Sequence, residues 1–278
     1  MNFNNANFWL RLIFFTHFKF FFTMFVLFSN RKIKDLNNID IKGKDKLFIL
    51  GTGSSINDLD KKEFESLKSK NSLSIGLNGW VYHDFVPDIY SLEFKNSSEA
   101  EVMINTAINK GSYSQDNAPS ILLKLGHNQK NFKKYNFSDC KNVYVYSHLR
   151  LDDSSIYNYH NSLHTLIKLL FLIPKKISRN FLLGSGSSLE RMISFGILFE
   201  FKEIVLLGFD LSGPYFYDNK TDESKNERHK TNDRNLRKLI LEDMMKQYKK
   251  IAAGYNVKIF VQSKSSPLSK IFPIYKSN

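Results

Sequence analysis

An apolar run that breaks into a glycine- and serine-rich turn constrains the fold of this chain more than any other feature. Residues 47–55 read Leu-Phe-Ile-Leu-Gly-Thr-Gly-Ser-Ser. The glycines allow the backbone to approach a ligand closely, and the hydroxyl side chains and amides are donors suited to a phosphate. The pattern recurs at 181–188, Phe-Leu-Leu-Gly-Ser-Gly-Ser-Ser, ahead of a helical pattern. Two such turns, each opening an α/β unit, indicate a nucleotide-binding cleft; the alternative is two tight strand-to-helix turns with capping serines.

Strand and helix patterns alternate along most of the 278 residues. Strands are predicted at 47–50, 73–77, 89–92, 121–125, 143–146, 181–183, 204–207 and 257–261, and helices at 60–69, 99–109, 162–172, 188–201 and 232–253. The alternation predicts an α/β fold with a Rossmann-like, mainly parallel sheet and helices on both faces. Residues 47–278 are interpreted as one such domain. Ligands of these sheets bind at the carboxyl ends of the strands, where both glycine–serine turns fall.

The first thirty residues differ sharply in composition from the rest of the chain. Their apolar, phenylalanine-rich run is long enough to cross a bilayer, but Arg11, His17 and Lys19 interrupt it. We predict that residues 1–30 form an amphipathic, hydrophobic helix that lies on an anionic membrane surface, followed by a basic linker at 31–46. The alternative is a helix that packs on the domain or on another subunit.

Charge and cysteine content narrow the range of partners. The formal net charge of +13 suits an anionic membrane, a phosphate-bearing substrate or a solvated basic surface, and no nucleic-acid motif accompanies it. The single Cys140 excludes an internal disulfide framework and a cysteine-based zinc site, and it favours a reducing compartment. We therefore expect a peripheral or monotopic protein on the cytoplasmic face of the inner membrane, with no nucleic-acid partner. A homo-oligomer is compatible with the sequence.

The glycine turns do not match the established nucleotide-binding motifs. The first turn lacks the third glycine of G-x-G-x-x-G, and the second predicted strand is followed by Asn78 instead of a ribose-binding carboxylate. An amide both donates and accepts hydrogen bonds, as a pyrimidine or a ribose requires. Neither turn is followed by Gly-Lys-Ser or Gly-Lys-Thr, which disfavours an NTPase.

A second candidate cluster follows the seventh predicted strand. Gly208 would turn the chain and Asp210 would stand at the mouth of the sheet, with Tyr215 and Tyr217 on the loop that follows. Paired phenols can donate two neutral hydrogen bonds to a phosphate, although each could instead pack as a core aromatic. His229, just before the last long helix, is placed to remain neutral as a general base; simple exposure on the loop is its alternative.

In the order and content of four segments, the chain resembles the bacterial sialyltransferases of the Campylobacter lipooligosaccharide type, glycosyltransferase family 42. The first is residues 49–55, similar to the family's strand and Gly-Asn-Gly-Pro-Ser turn, and the second is Asn78. The third, within 187–217, resembles the family's nucleotide- and phosphate-binding stretch, and the fourth, 229–260, resembles its catalytic histidine and last strand. The resemblance covers most of 46–267 and implies a GT-A-like variant of the fold.

The resemblance implies an inverting transfer of sialic acid, or of another 3-deoxy-ulosonic acid, from a CMP-activated donor to a surface glycan such as lipooligosaccharide or capsule. It implies His229 as the base that takes the proton of the acceptor hydroxyl, and Tyr215 and Tyr217 as donors to the phosphate of departing CMP. The nucleotide and donor sugar would be held by Gly51, Thr52, Gly53, Ser55, Asn78, Ser187, Ser188 and Asp210, with Ser265 and Ser266 as candidates for the donor carboxylate. The expected site is metal-independent and uses no cofactor beyond the donor substrate.

Two other functions remain open from the sequence. A glycosyltransferase-like motility or pterin-type protein shares the glycine-rich start and the Gly-Phe-Asp strand end, and a non-catalytic, membrane-associated nucleotide-binding module needs no base. Convergence of His229, Tyr215 and Tyr217 on the first glycine turn would favour the transferase. A histidine that points away would favour binding without chemistry.

Overall fold

The computed structural model describes residues 33–93, 98–112, 118–125, 135, 137, 139–150, 156–184, 187–210, 215–217 and 233–276. These residues divide into two compact units. The first contains the residues up to Asp40 together with Ile89–Phe199, and the second contains Ile41–Asp88 and Glu200–Asn278. The chain therefore leaves the second unit after its first part and returns to it more than a hundred residues later.

The described residues form strands, helices and short 3₁₀ turns in alternation. The strands are β1 (Ile33–Asp35), β2 (Lys46–Leu50), β3 (Ser72–Leu77), β4 (Ile89–Leu92), β5 (Ser120–Leu125), β6 (Val143–Arg150), β7 (Phe181–Gly184), β8 (Glu203–Leu207) and β9 (Lys258–Val261). The helices are α1 (Lys61–Ser66), α2 (Ser98–Ser112), α3 (Ile156–Leu172), α4 (Lys175–Ser178), α5 (Ser188–Leu198) and α6 (Asp233–Gly254). Strands pair in parallel within each unit, which confirms the predicted α/β fold with a mainly parallel sheet.

In the second unit, the described strands pair in the order β3-β2-β8-β9. The apolar run of β2 explains its place between two neighbours, because Leu47, Ile49 and Leu50 are fully buried and Phe48 is nearly so. This burial of successive residues is typical of a parallel strand that is covered on both faces. Since the paired strands run in one direction, the turns that follow them lie at the same edge of the sheet. That edge carries most of the candidate site residues.

In the first unit, β4, β5 and β6 pair in sequence order, and β6 also pairs with β1 and β7. β1 lies against Val143–Val145, and β7 lies against Ser147–Arg150. Helix α5 packs against β7 and is buried from Leu189 to Leu198. The first unit therefore also ends its parallel strands at one edge, where β4 and β7 lead into polar residues.

The predicted elements are confirmed with shifted ends. β6 continues to Arg150, four residues beyond its predicted end, because its second half pairs with β7. The predicted basic linker contains β1, which the lysine-rich composition concealed. The chain is fixed there because the Leu36 amide donates to the buried Asn180 Oδ1 at 3.1 Å. Helix α1 ends at Ser66, three residues before its predicted end.

The helix predicted at residues 1–30 lies outside the described residues. Of the helices in the described part of the chain, none combines the length and the hydropathy that a bilayer crossing needs. The membrane-associating helix therefore stays a prediction.

Candidate functional site

The first glycine turn extends the pairing of β2 with β8 beyond the ends of both strands. The Gly51 amide donates to Leu207 O at 2.7 Å, and the Gly53 amide donates to Gly208 O at 2.8 Å. A Cβ on Gly51 would lie 2.5 Å from Gly208 O, and one on Gly53 would meet the Asp210 carboxylate. Gly208 itself has φ +68°, in the left-handed region that favours glycine. Glycine is therefore required at positions 51 and 53 because the backbone there lies close to the backbone that follows β8, and not only because the chain turns.

Asp210 holds the glycine turn in place. Its carboxylate accepts the Ser55 amide at 2.9 Å and the Ser55 hydroxyl at 2.5 Å. Charge-assisted hydrogen bonds of this kind are about twice as strong as neutral ones. Asp210 therefore positions the turn, and a direct contact of Asp210 or Ser55 with a nucleotide stays a prediction.

The loop that carries the two predicted tyrosines pairs with the glycine turn. Tyr215 and Gly53 form an isolated antiparallel bridge, and the Phe216 amide donates to Thr52 O at 3.0 Å. The rings of Tyr215 and Tyr217 stack with centroids 5.1 Å apart, and Tyr215 is 36% exposed. The second unit thus brings both phenols to the turn, in a pair that a ligand can reach.

An aromatic cluster after β3 anchors this loop. The Phe216 ring lies edge-on to Trp80 and His83, at centroid distances of 5.6 and 5.1 Å. Trp80 and His83 stack at 4.4 Å, and the His83 Nδ1 accepts the Phe85 amide at 2.9 Å. Our interpretation of the sequence missed this cluster, although the aromatic spacing of residues 80–85 is a signal for it.

Asn78 begins the 3₁₀ turn that leads into the aromatic cluster. Its φ of +44° lies in the left-handed region, which asparagine tolerates better than most residues. The next residue, Gly79, is pressed against Tyr217, because a Cβ there would lie 2.7 Å from the phenol oxygen. Tyr82 contacts the same ring at a centroid distance of 5.2 Å. Asn78 is therefore placed beside the tyrosine loop, at the carboxyl end of β3.

The two serines after β9 differ in their surroundings. Ser266 is 4% exposed, and its hydroxyl donates to Phe209 O at 2.6 Å while accepting the Leu268 amide at 3.3 Å. Ser265 is exposed, and its hydroxyl pairs with that of Ser263 at 2.7 Å. Ser266 thus ties the end of β9 to the residue before Asp210. A contact of either serine with a donor carboxylate stays a prediction.

Ser187 and Ser188 lie in the first unit. Ser187 caps α5, because its hydroxyl accepts the Leu189 amide at 3.1 Å. The Ser188 hydroxyl donates to Glu93 Oε1 at 3.2 Å and accepts from the Arg191 guanidinium at 2.8 Å, and Arg191 and Glu93 form an ion pair. The sequence interpretation included neither Glu93 nor Arg191. A charged residue inside an otherwise apolar helix was the available signal for Arg191.

Two further predictions from the sequence concern the general base and metal binding. His229 lies outside the described residues, so its convergence with the tyrosines stays a prediction. Among the described residues, no group of three His, Cys, Asp or Glu side chains could hold a metal ion. The chain has one Asp-x-Asp tripeptide, at 58–60, and its Asp60 caps α1 in a reciprocal pair of hydrogen bonds with Glu63.

No known protein-family model and no curated protein match the chain. A solved structure that does match is the monofunctional α-2,3-sialyltransferase Cst-I from Campylobacter jejuni, with 15% identity, a TM-score of 0.52 and coverage of 87% of this chain and 84% of that one. This chain has the same fold.

Two other solved structures are also similar. One is a tyrosine-to-phenylalanine variant of the sialyltransferase CST-II in complex with CMP, with 16% identity, a TM-score of 0.49 and coverage of 84% of this chain and 88% of that one. The other is the MAf glycosyltransferase from Magnetospirillum magneticum AMB-1, with 14% identity, a TM-score of 0.42 and coverage of 78% of this chain and 31% of that one.

Proposed function

We propose that this protein is an inverting glycosyltransferase that moves sialic acid, or a related 3-deoxy-ulosonic acid, from a CMP-activated donor to a glycan. The observation that carries the proposal is the pairing of the Tyr215–Tyr217 loop with the glycine turn at the carboxyl edge of the second unit's sheet. The fold that the chain shares with a sialyltransferase supports it.

The geometry of the second unit suits the departure of a phosphate. The glycine turn lies at the edge of the sheet where ligands of parallel sheets bind, and the stacked phenols of Tyr215 and Tyr217 are two neutral donors beside it. Hydrogen bonds from these phenols strengthen as negative charge develops on the phosphate of the leaving CMP. In the transfer step, the acceptor oxygen attacks the anomeric carbon, the bond from that carbon to the phosphate oxygen breaks, and His229 takes the acceptor proton.

Substitution of these three residues tests the proposal. We expect His229→Ala to lower the rate of transfer from CMP-sialic acid by about two to four orders of magnitude while CMP affinity stays nearly unchanged. Tyr215→Phe and Tyr217→Phe keep the rings and should lower turnover more than donor binding, by about 1–4 kcal/mol in activation free energy. Tyr255→Phe, at a tyrosine beyond α6, is the matched control and should leave turnover unchanged.

Assays with a chelator and with different CMP-activated donors distinguish the proposed function from its alternatives. Full activity in excess chelator is the expected result; its abolition would mean that a metal, not the tyrosines, holds the phosphate. Wild-type activity in His229→Ala would remove the histidine from the mechanism. Binding of CMP-sialic acid without hydrolysis or transfer would favour a non-catalytic nucleotide-binding module, and turnover of CMP-Kdo alone would change the donor.

The acceptor and the location follow from the membrane prediction. A helix at residues 1–30 that lies on the cytoplasmic face of the inner membrane would bring the enzyme to a lipid-linked glycan, such as a lipooligosaccharide or capsule precursor. The net charge of +13 suits both an anionic leaflet and an anionic donor.

A further inference from the structure

Phe216 joins the tyrosine loop to two different segments of the second unit. Its amide donates to Thr52 O in the glycine turn that follows β2, and its ring packs on Trp80 and His83, which follow β3. Contacts with the glycine turn alone would allow the loop to rotate about a single line of backbone hydrogen bonds. The attachment of the ring to a second segment opposes that rotation, so one residue fixes both the position and the orientation of the loop.

The surface that receives the Phe216 ring is itself held firmly. Trp80 is fully buried, and it stacks on His83 with ring centroids 4.4 Å apart. Both rings are tied to the backbone of Phe85, whose amide donates to His83 Nδ1 at 2.9 Å and whose carbonyl accepts the Trp80 indole N–H at 3.1 Å. Because a backbone amide can only donate, His83 Nδ1 is the acceptor, which fixes the orientation of the imidazole. Phe64 of α1 adds ring contacts with Trp80 and His83.

The phenols on either side of Phe216 depend on this attachment. The rings of Tyr215 and Tyr217 stack at an angle of 15°, and the Phe216 ring meets the Tyr217 ring edge-on at a centroid distance of 5.1 Å. The three side chains therefore pack as one unit, and the orientation of Phe216 is transmitted from ring to ring. A hydrogen-bond donor stabilises developing charge only within about 2.7–3.1 Å of the charged oxygen, so a small rotation of the loop would move both hydroxyls out of range.

We propose that Phe216 is a positioning residue of the transfer reaction: it acts through Tyr215 and Tyr217, whose hydroxyls it orients toward the phosphate of the leaving nucleotide. The inference rests on the proposed function. The Phe216 side chain has no group that could donate a hydrogen bond or a proton, so its effect on turnover must pass through its neighbours. The aromatic residues after β3 thereby contribute to turnover, because they hold the residue between the two phenols.

Phe216→Leu tests the orientation of the loop, because it removes the aromatic ring and keeps an apolar side chain. The kcat of the full-length protein with CMP-sialic acid should fall about ten- to a hundredfold, the upper value being the cost of a misplacement of about 1 Å, and KM should change much less. Phe260→Leu is the matched control. Phe260, on β9 of the same unit, is also half-buried and also meets a tyrosine ring edge-on, that of Tyr275. Both variants should unfold at lower urea concentration, but Phe260→Leu should keep the wild-type kcat.

Double-variant cycles distinguish positioning from a general loss of structure. If Phe216 acts through the phenols, prior removal of a hydroxyl should make Phe216→Leu less harmful. The fall in kcat should then be at least about threefold smaller in Tyr215→Phe and in Tyr217→Phe than in the wild type. A purely structural defect multiplies the separate losses, so Phe216→Leu would have the same effect in every background. An equal fall in either tyrosine variant would overturn the inference while the proposed function stands.

A second substitution keeps the test valid if the first disrupts folding. Phe216→Met fills more of the site with a flexible apolar side chain, and it replaces Phe216→Leu in the same cycles if the leucine variant does not fold. Wild-type kcat in a folded variant at position 216 would overturn the inference. A wild-type protein that neither transfers nor hydrolyses CMP-sialic acid or CMP-Kdo would refute the proposed function, and the inference with it.

Discussion

Replacing Gly79 by alanine measures how tightly Tyr217 is packed against the turn after β3. A Cβ on Gly79 would lie 2.7 Å from the Tyr217 oxygen and 2.8 Å from Cε1. Real contacts between such atoms are longer, so the tyrosine ring or the backbone must move. Gly79 is buried, and its neighbour Trp80 is fully buried, which leaves little space for the backbone to move. The strain should therefore be relieved by displacing Tyr217.

We expect Gly79→Ala to lower the free energy of unfolding by about 1–2 kcal/mol. Overpacking costs roughly 1–3 kcal/mol. Alanine also lowers the conformational entropy of the unfolded chain, which stabilises the folded protein by about 0.4–1 kcal/mol where the native backbone suits alanine. Gly79 is not among the glycines with positive φ, so that compensation applies. In a Tyr217→Ala background the clash is absent and only the compensation remains. The coupling between the two substitutions should be about 1–3 kcal/mol.

Urea unfolding of the wild type, both single variants and the double variant gives the coupling directly. Gly254→Ala is the matched control, because a Cβ there has no atom within 4 Å, and its effect should be the same in both tyrosine backgrounds. A coupling below about 0.5 kcal/mol for Gly79 would refute the packing of Tyr217 on this turn. If the ring is displaced as expected, Gly79→Ala should also lower turnover as much as Tyr217→Phe does.

Three further predictions concern other parts of the protein. Ser55→Ala removes a hydrogen bond to the Asp210 carboxylate and should cost about 1.5–3 kcal/mol of unfolding free energy in the wild type but little in Asp210→Ala; equal costs by chemical denaturation would contradict that contact. The hydrogen bond to Tyr275 raises the pKa of Lys46 above its usual 10.5, so the stability that Lys46 adds relative to Lys46→Met should be complete at neutral pH and disappear as pH rises through the raised pKa; an advantage that persists in strong alkali would refute this linkage. Deleting residues 1–30 should release the protein from anionic vesicles in a sedimentation assay, and equal binding by both forms would assign membrane affinity to the remaining basic residues.

The strands could be predicted from the sequence because their apolar runs are short, continuous and bounded by polar turns. The glycine turn was predictable for the same reason, since Gly51 and Gly53 directly follow an apolar run. The parallel order then places Asn78, Asp210 and the tyrosine loop at one edge without further information. The ends of the strands were harder to predict. Residues 147–150 extend β6 because they pair with β7, and the local sequence pattern does not reveal that pairing.

Side-chain networks could not be predicted because their members are distant in the chain. Glu93 and Arg191 pair across 98 residues, and nothing near Glu93 in the sequence distinguishes it from an exposed glutamate. β1 is only three residues long and lies in a lysine-rich segment with a weak local preference for a strand. Its pairing with β6 makes it a strand, and this pairing is not visible in the local sequence. Asp210 was predicted as a ligand-binding residue because it follows a strand at the mouth of the sheet. Its hydrogen bonds to Ser55 show that it also positions the glycine turn, which local sequence does not reveal.

The split of the second unit in the sequence has a consequence for how the chain folds. Ser55 and Asp210, which hold the glycine turn, are 155 residues apart, and β2 pairs with β8 across a similar separation. During synthesis, β2 and β3 emerge long before β8 and β9. The apolar pair β2 and β3 therefore lacks its neighbours β8 and β9 while Ile89–Phe199 is synthesised. Contacts between residues so far apart in the sequence are slow to form, and unpaired strand edges can associate with other chains. We expect the second unit to acquire hydrogen-exchange protection last, and the yield of the protein in cells to depend on how quickly Glu200–Asn278 follows.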